Sequence, residues 1–325
     1  MTLAVLGIDA LDPEIVDPAS HGNLALDCHR AIETIASAEG EPSTHELWPT
    51  IITGLRPADH GLTLDDGVAW ESPLLRYGSA VADRLLPSGL QTAIGAALLN
   101  RTEQDAFRVP ATYYAEHGIE TVFDGRAAAA IGIPNYVTDP DAEDREHSLR
   151  RRMGELFERD PDARGGHVSA DPDAFYEQCL EMVMVRVART RRALRSGRYE
   201  LVFGYTSGLD LVGHVAYQSP GMQDTAYGEV DDVVGELRSD LDDGDELLLV
   251  SDHGLQEGLH THEAMVAATA DRLCDPVASV TDLRSTIERE LEEHDHEPQS
   301  RRTGRGDFGE RSEEVREQLE ELGYI

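Results

Sequence analysis

The chain has 325 residues, of which 40% are apolar, and this excludes a disordered protein and leaves enough apolar material for a sizeable core. It carries 63 acidic residues against 28 basic ones, all of them Arg, for a formal net charge of −35. Such a surface excludes general nucleic-acid binding, which needs clustered Lys and Arg. No apolar run reaches the ~18 residues of a membrane span, so no membrane partner is expected.

The acidic residues are spread along the whole chain, which favours adaptation to salt over recruitment of one basic partner. Repulsion at this net charge destabilises a compact protein in dilute buffer, and ~1 M salt shortens the Debye length to ~3 Å. The N-terminus lacks the basic segment of a signal peptide. We therefore expect a cytoplasmic protein of a salt-adapted organism.

The cysteines, Cys28, Cys179 and Cys274, are far apart and form no CxxC pair. This spacing indicates neither a disulfide framework nor a thiolate zinc site. All three are expected to be small buried apolar residues.

Short apolar runs predict buried parallel strands at 3–8, 129–134, 200–205 and 246–250. Apolar residues at helical spacing predict helices at 45–53, 79–86, 172–196 and 227–239. Strands that alternate with helices predict an α/β fold with a mainly parallel sheet covered on both faces. Ligands of such sheets bind at the carboxyl ends of the strands.

The predicted domain organisation is a core over residues 1–289 with a polar insertion at about 99–172. The charged part of this insertion, 138–172, is poor in strand formers and suits a cover over the site. A polar linker or loop is expected over 290–312, followed by an amphipathic helix over 313–325 that docks on the core.

Asp and His residues gather after three of the predicted strands. Asp9 follows the first, Asp210 and His214 follow the third, and Asp252 with His253 follows the fourth. Carboxylates and imidazoles are ligands of zinc and other divalent ions. A single Asp at a strand end is more often a turn or N-cap residue than a ligand, and the D-x-x-x-H spacing alone is common by chance. Their shared place at strand ends predicts one metal centre.

A pair of hydroxyl residues precedes the predicted helix at 45–53. Ser43 or Thr44 could cap this helix with its side chain. Alternatively, the Thr44 hydroxyl could act on an anion held by the free N–H groups and the dipole of the helix N-terminus. The two roles are compatible.

With these residues in place, the segments TGLRPADHGL (53–62), GLDLVGH (208–214), VSDHGL (250–255) and HTH (260–262) resemble the alkaline phosphatase superfamily. The similarity is greatest to its type I phosphodiesterase and nucleotide pyrophosphatase branch, and it extends over nearly the whole chain. The resemblance implies a three-layer α/β/α sandwich with a cap insertion. It also implies a centre of two divalent ions, usually Zn, with Mn or Mg as alternatives.

The resemblance further implies the role of each site residue. Thr44 would be the nucleophile and would join one ion together with Asp9, Asp252 and His253. The other ion would be held by Asp210, His214 and His260.

Two further histidines lie close to these motifs. His262 is the alternative to His260, which is preferred because it precedes Met265 by five residues, as in the HT motif of the family. His60 belongs to the TGLRPADHGL segment and is expected to be structural.

One departure from the family concerns substrate binding. Nucleotide pyrophosphatases have an Asn a few residues after the HG pair, where it binds phosphoryl oxygens, whereas Asp65 or Asp66 lies there in this chain. A carboxylate at that position would repel a phosphate dianion more than a monoanionic diester.

The function implied is hydrolysis of small-molecule phosphate esters, phosphodiesterase- or nucleotide pyrophosphatase-like, through a phosphothreonine intermediate. The alternatives are a phosphomonoesterase, a phosphonoacetate-hydrolase-like enzyme and, from another class, a non-catalytic metal-binding protein. A sulfatase is disfavoured because Thr44 is not the Cys or Ser of a C/S-x-P-x-R motif, and the chain has no HExxH motif of a metalloprotease.

Overall fold

The structure is a computed structural model that describes residues 1–38, 40–63, 108–139, 144–160, 162–294 and 296. Its strands are β1 Leu3–Ile8, β2 Cys28–Glu33, β3 Ala128–Ile131, β4 Glu158–Arg159, β5 His167–Val168, β6 Leu201–Thr206, β7 Glu246–Val250, β8 Gly254–Gln256, β9 Leu259–Thr261 and β10 Glu263–Ala268. Its α-helices are α1 Gly22–Ala25, α2 Thr44–Thr53, α3 Pro57–His60, α4 Thr112–Glu116, α5 Arg145–Arg151, α6 Pro172–Leu194, α7 Gly208–Ala216, α8 Met222–Arg238, α9 Asp271–Cys274 and α10 Leu283–Glu293.

In the described residues, one six-stranded sheet has the order β2-β10-β7-β1-β6-β3. The central strand β1 is parallel to β6, with Leu3 opposite Leu201, and to β7. Strand β3 adds to β6 in the same direction, whereas β10 runs antiparallel to both β7 and β2. Short hairpins β4–β5 and β8–β9 lie outside this sheet. The predicted mainly parallel α/β sheet is confirmed.

Side chains of β1 alternate between two buried layers. Ala4, Leu6 and Ile8 face the layer formed by α6, α7 and α8, while Leu3 and Val5 face the layer formed by α2 and α10. Burial on both faces explains why β1 is a continuous apolar run instead of an alternating one. The helices therefore cover both faces of the sheet, as a three-layer sandwich requires.

Helix α2 packs directly on the middle of the sheet. Its Trp48 is fully buried and lies over Gly7 of β1, where a Cβ atom would be 2.3 Å from Trp48 Cη2. Trp48 also packs edge-on against Tyr205, with ring centroids 4.8 Å apart. The first residue of this helix, Thr44, is thereby fixed relative to the strand ends.

All four predicted strands are present, as β1, β3, β6 and β7. The predicted helices 45–53, 172–196 and 227–239 correspond to α2, α6 and α8, although α8 begins earlier, at Met222. The predicted helix 79–86 lies outside the described residues. Among the described residues, no helix combines the length and apolarity needed to cross a membrane.

The predicted insertion at 99–172 includes a strand of the main sheet and residues of the buried layer around α2. Its segment Ala128–Ile131 is strand β3 of the main sheet, and Tyr114 and Val122 are buried in the layer around α2. Its later part contains α5 and the β4–β5 hairpin. Helix α10 extends to Glu293, past the predicted start of the linker at 290, and the predicted helix 313–325 lies outside the described residues. The division into core, insertion and linker stays a prediction.

The prediction about the cysteines is wrong for two of them. Cys28, at the start of β2, and Cys274, at the end of α9, form a disulfide across a sequence separation of 246 residues. Pairing of β2 with β10, the strand that precedes α9, brings them together. Cys179 is free and buried, as expected.

Candidate metal centre and nucleophile

The predicted site residues converge at the carboxyl edge of the parallel strands. Asp9 directly follows β1, and Asp252 and His253 come just after β7. Asp210 and His214 lie on α7, one turn apart, and this helix begins right after β6. Because the three strands are neighbours and point the same way, their ends place these side chains together.

Thr44 is the first residue of α2 and turns its hydroxyl towards the metal-ligand candidates. Its Oγ1 lies 3.3 Å from Asp9 Oδ2 and 3.5 Å from His253 Nε2. Ser43 occupies the N-cap position but makes no side-chain hydrogen bond to the helix. The hydroxyl at this helix end therefore faces Asp9 and His253.

The first group of candidate ligands is Asp9, Asp252 and His253, whose ligand atoms lie within 4.8 Å of one another. All three are buried, and His253 Nε2 is 3.4 Å from Asp9 Oδ1 and 3.5 Å from Asp252 Oδ2. Neither carboxylate oxygen of Asp252 has a hydrogen-bond partner among the described residues. Buried carboxylates without donors are unfavourable unless a cation neutralises them, so this group fits a bound ion.

The surroundings of Asp9 in the first group shift its pKa. Burial and the nearby carboxylates of Asp252 and Asp210 raise the pKa of Asp9 well above its usual range. The hydroxyl of Tyr205 donates a hydrogen bond to Asp9 Oδ2 at 2.5 Å and opposes this rise.

The second group is Asp210, His214 and His260. His260 Nε2 lies 3.2 Å from His214 Nε2 and 3.6 Å from Asp210 Oδ1. Burial opposes ionisation of Asp210, but the rings of His214 and His260 hold its pKa well below the usual range. The rings of His253 and His260 have centroids 4.2 Å apart, so the two groups adjoin.

The histidine tautomers suit metal binding in both groups. His260 Nδ1 lies 3.2 Å from the carbonyl oxygen of Pro42, and His253 Nδ1 lies 3.1 Å from that of Gly254. A carbonyl only accepts, so each Nδ1 donates, and in the neutral ring each Nε2 carries the lone pair. Both Nε2 atoms face the Asp side chains. This outer hydrogen bond is the usual way in which a metal-binding His is oriented.

The hairpin β8–β9 brings His260 to the second group. Leu255 in this hairpin is fully buried and packs on α7 at Gly213, where a Cβ atom would lie 2.4 Å from Leu255 Cδ2. This contact sets His260 beside His214, whereas His262 is exposed and belongs to neither group. Of the two alternatives, the structure brings His260 into the cluster.

His60 lies apart from both groups. It is buried beside α2, and its Nε2 is 3.1 Å from Thr50 Oγ1 and 3.2 Å from the carbonyl oxygen of Glu46. Burial lowers its pKa to about 4, so it is neutral at pH 7. This placement agrees with a structural role. Asp65 lies outside the described residues.

Sequence reasoning missed several residues around the site. A cavity of about 260 Å³ opens at Thr44 and is lined by Asp9 and the second group, and also by His45 and Arg150. Tyr205 could have been found, because it is the penultimate residue of a strand that ends at the site. No sequence signal distinguishes Arg150 within its run of three arginines.

The profile of the type I phosphodiesterase / nucleotide pyrophosphatase family matches residues 3–321. The chain belongs to this family. A search of curated proteins found no match to the chain.

Several solved structures are similar to this family member at low sequence identity. Murine ectonucleotide pyrophosphatase / phosphodiesterase 5 is 16% identical with a TM-score of 0.42, over 78% of this chain and 57% of that chain. Alkaline phosphatase from the Antarctic bacterium TAB5 is 12% identical with a TM-score of 0.43, over 90% and 97%. Phosphonoacetate hydrolase from Sinorhizobium meliloti 1021 is 16% identical with a TM-score of 0.39, over 78% and 56%. The chain thus spans little more than half the length of the murine protein.

Proposed function

We propose that the protein is a two-metal hydrolase of phosphate esters in which Thr44 is the nucleophile. The observation that carries this proposal is the pair of adjoining Asp/His groups next to the Thr44 hydroxyl. Membership of the phosphodiesterase family supports the reaction class.

In this proposal, Asp9, Asp252 and His253 hold one ion together with Thr44, and Asp210, His214 and His260 hold the other. The nitrogen and oxygen donors suit Zn, with Mn or Mg as alternatives. When bound, the ions would lower the pKa of hydroxyl and water ligands and neutralise charge on the phosphoryl group. The unsatisfied oxygens of Asp252 and the Nε2 tautomers of the histidines support this fit.

The protein residues then act on the ester in two displacements. The Thr44 hydroxyl loses its proton and its oxygen forms a bond to phosphorus, while the bond from phosphorus to the leaving oxygen breaks and that oxygen takes up a proton. Water next displaces the Thr44 oxygen, which restores the hydroxyl and releases the phosphoryl product. Asp9 orients the Thr44 oxygen, and the phosphoryl group would lie at the N-terminus of α2, where the helix dipole favours an anion.

The proposed substrate is a diester or pyrophosphate-type ester in preference to a monoester. Asp65 or Asp66 takes the position of the Asn that binds phosphoryl oxygens in nucleotide pyrophosphatases, which would add a carboxylate beside the phosphoryl group. A dianionic monoester is repelled more strongly by excess negative charge than a monoanionic diester is.

The test is to purify the protein in molar salt, measure bound metal, and assay bis(nitrophenyl) phosphate and nitrophenyl phosphate. We expect two divalent ions per chain and faster release of nitrophenol from the diester. Thr44→Ala should reduce turnover by at least ~10³-fold, because it removes the nucleophile. After an acid quench, mass spectrometry of the wild type should find one phosphoryl group on the peptide that contains Thr44.

Matched controls separate the nucleophile from its surroundings. Ser43→Ala removes the adjacent hydroxyl, which makes no capping hydrogen bond, and should keep activity within about tenfold of wild type. Retention of activity within that range by Thr44→Ala would exclude Thr44 as nucleophile. Asp210→Asn should bind less metal per chain than wild type. Asp224→Asn removes the same charge from an exposed position and should keep the wild-type metal content. A protein that binds metal and hydrolyses neither ester would be the non-catalytic alternative.

A further inference from the structure

A second cavity, of about 140 Å³, lies beside the candidate metal centre, between the end of β3 and helices α5 and α6. A water molecule needs ~10–15 Å³ by the same measure, so the cavity has room for a group as large as a phosphate. Four arginines line it: Arg108, Arg150, Arg186 and Arg189. In a chain with a net charge of −35 and no Lys, this concentration of positive charge is unusual.

Arg186 is the buried member of this set, with 3% of its surface exposed. Its Nε donates to Glu146, and its Nη2 donates to Asp144 at 3.2 Å. Its Nη1 is buried and has no hydrogen-bond partner among the described residues. A buried, charged N–H group without an acceptor is unfavourable, so Arg186 keeps unsatisfied donor capacity beside the cavity that it lines.

The main chain at the end of β3 is shaped around this guanidinium. Gly132 has φ +72°, and a Cβ atom there would lie 1.8 Å from Arg186 Nη1. The absence of a side chain at this position leaves room for the Arg186 guanidinium against the main chain of Gly132, and both residues line the cavity.

Charges around the cavity leave a positive excess. Its lining includes three acidic residues against the four arginines, namely Asp139, Asp144 and Glu146. Asp144 and Glu146 both pair with Arg186. Planar guanidinium groups with a fixed fork of donors are well suited to phosphate and carboxylate oxygens.

The second cavity and the candidate metal centre share residues in their walls. Arg150 lines both cavities. Tyr205 lines the second cavity and donates its hydroxyl hydrogen bond to Asp9 of the first metal group. Ser207, also in the lining, immediately precedes the helix that carries Asp210. Arg150 therefore borders both the cavity at Thr44 and the cavity at Arg186.

We propose that this arginine-lined cavity binds a second anionic group, a phosphate or carboxylate, on the substrate whose ester is cleaved at Thr44. The inference rests on the proposed function, since it names the substrate class for the same site. Substrates would then be phosphate esters with a second oxyanion a few bonds from the scissile phosphorus.

The test measures equilibrium binding to the full-length Thr44→Ala protein in molar salt by calorimetry, so that no ligand is consumed. The probes are alkyl monophosphates, the matching alkanediol bisphosphates with two to six carbons, and ω-carboxyalkyl phosphates. We expect at least one bisphosphate or carboxyalkyl phosphate to bind about tenfold tighter than its alkyl monophosphate, equivalent to ~1.4 kcal/mol. The two series distinguish phosphate from carboxylate as the second group.

Two variants and one control assign the effect to the cavity. Arg186→Met and Arg150→Gln should each remove most of the difference in affinity between the doubly anionic probes and the alkyl monophosphates. Arg150 is only partly buried, so its replacement keeps the test valid if Arg186→Met does not fold. Arg192→Gln removes the same charge from an exposed position on α6, the helix that carries Arg186. This variant should still bind the doubly anionic probes more tightly than the alkyl monophosphates.

The proposal is overturned if no doubly anionic probe binds more tightly than its partner, or if Arg192→Gln reduces this difference in affinity as much as Arg150→Gln. Failure of the proposed function has a different signature. In that case the wild type hydrolyses neither nitrophenyl ester, while the preference for doubly anionic probes remains. Nitrophenyl ester hydrolysis without that preference rejects the cavity proposal alone.

Discussion

Replacement of Asp9 by Asn should stabilise the metal-free protein even though it should abolish activity. Asp9 is buried, and its ligand atom lies within 4.8 Å of those of Asp252 and His253. Two negative charges at that separation repel by ~3 kcal/mol at an effective dielectric constant of ~20. Asn has nearly the same shape and can still accept the Tyr205 hydrogen bond. After allowance for attraction to His253, we expect a gain of ~1–3 kcal/mol at neutral pH.

The gain in stability of Asp9→Asn over wild type should increase with pH. Burial, followed by Asp252 and Asp210, raises the pKa of Asp9 in the folded protein above its unfolded value. The stability that protonated Asp9 contributes is therefore complete below the unfolded pKa of ~3.9 and is lost as pH rises through the folded pKa. Wild type and Asp9→Asn should have similar stability near pH 4, and the advantage of Asn should grow above it.

Thermal unfolding in molar salt with a chelator, from pH 4 to pH 8, measures this difference. At pH 8 we expect the melting temperature of Asp9→Asn to exceed that of wild type by ~2–6 °C. Added zinc should raise the melting temperature of wild type far more than that of the variant, because Asp9 is a proposed ligand.

The matched control is Asp231→Asn. Asp231 is also buried, but its Oδ1 accepts hydrogen bonds from the backbone of Asn23 and Leu24, both at 2.8 Å. Its replacement should lower the melting temperature with or without metal, because the carboxylate is well satisfied. If Asp9→Asn were also destabilising at pH 8 without metal, or kept the full response to zinc, the electrostatic reasoning would be wrong.

Four other outcomes are expected. Dialysis from molar salt to dilute buffer should reduce the far-UV circular dichroism signal, and an unchanged spectrum and melting temperature would reject salt adaptation. Cys28→Ser should destabilise the oxidised protein by up to ~5 kcal/mol in denaturant titrations, because the cross-link spans 246 residues; equal stability in reducing and oxidising buffer would contradict this. Gly7→Ala should destabilise by ~1–3 kcal/mol in the same titration, because its Cβ would overlap Trp48, and a neutral result would refute that packing. Asp65→Asn should raise monoester turnover relative to diester turnover, and an unchanged ratio would remove Asp65 from the phosphoryl pocket.

The central part of the sheet was predictable from sequence because its strands are buried on both faces. Such strands are continuous apolar runs, as β1 and β7 are. The edge strand β2, CHRAIE, has one fully buried residue, Ile32, and no periodic pattern. Its position depends on pairing with β10, more than 200 residues away in the chain. The disulfide at the same edge was missed for the same reason.

The site likewise contains residues that could be predicted from the sequence and residues that could not. The convergence of Asp9, Asp210 and Asp252 could be predicted because each follows a recognisable strand, and strand ends of a parallel sheet meet at one edge. His260 lies in the unpredicted strand β9, and its choice rested on the family resemblance. The arginines could not, because Arg186 is one of several arginines along α6, and only tertiary packing makes it buried while Arg192 is exposed. Tyr205 belongs to a predicted strand, but its contact with Asp9 depends on which strand lies beside β1.

The short hairpin after β7 has a consequence for how ions would enter and leave the proposed two-metal site. His253 and His260 lie on one continuous stretch of chain, and each belongs to a different metal group. A local opening of that stretch would withdraw one ligand from both groups in a single event. Release of one ion and release of the other would then share a common opened state, so the singly loaded protein would be short-lived during exchange.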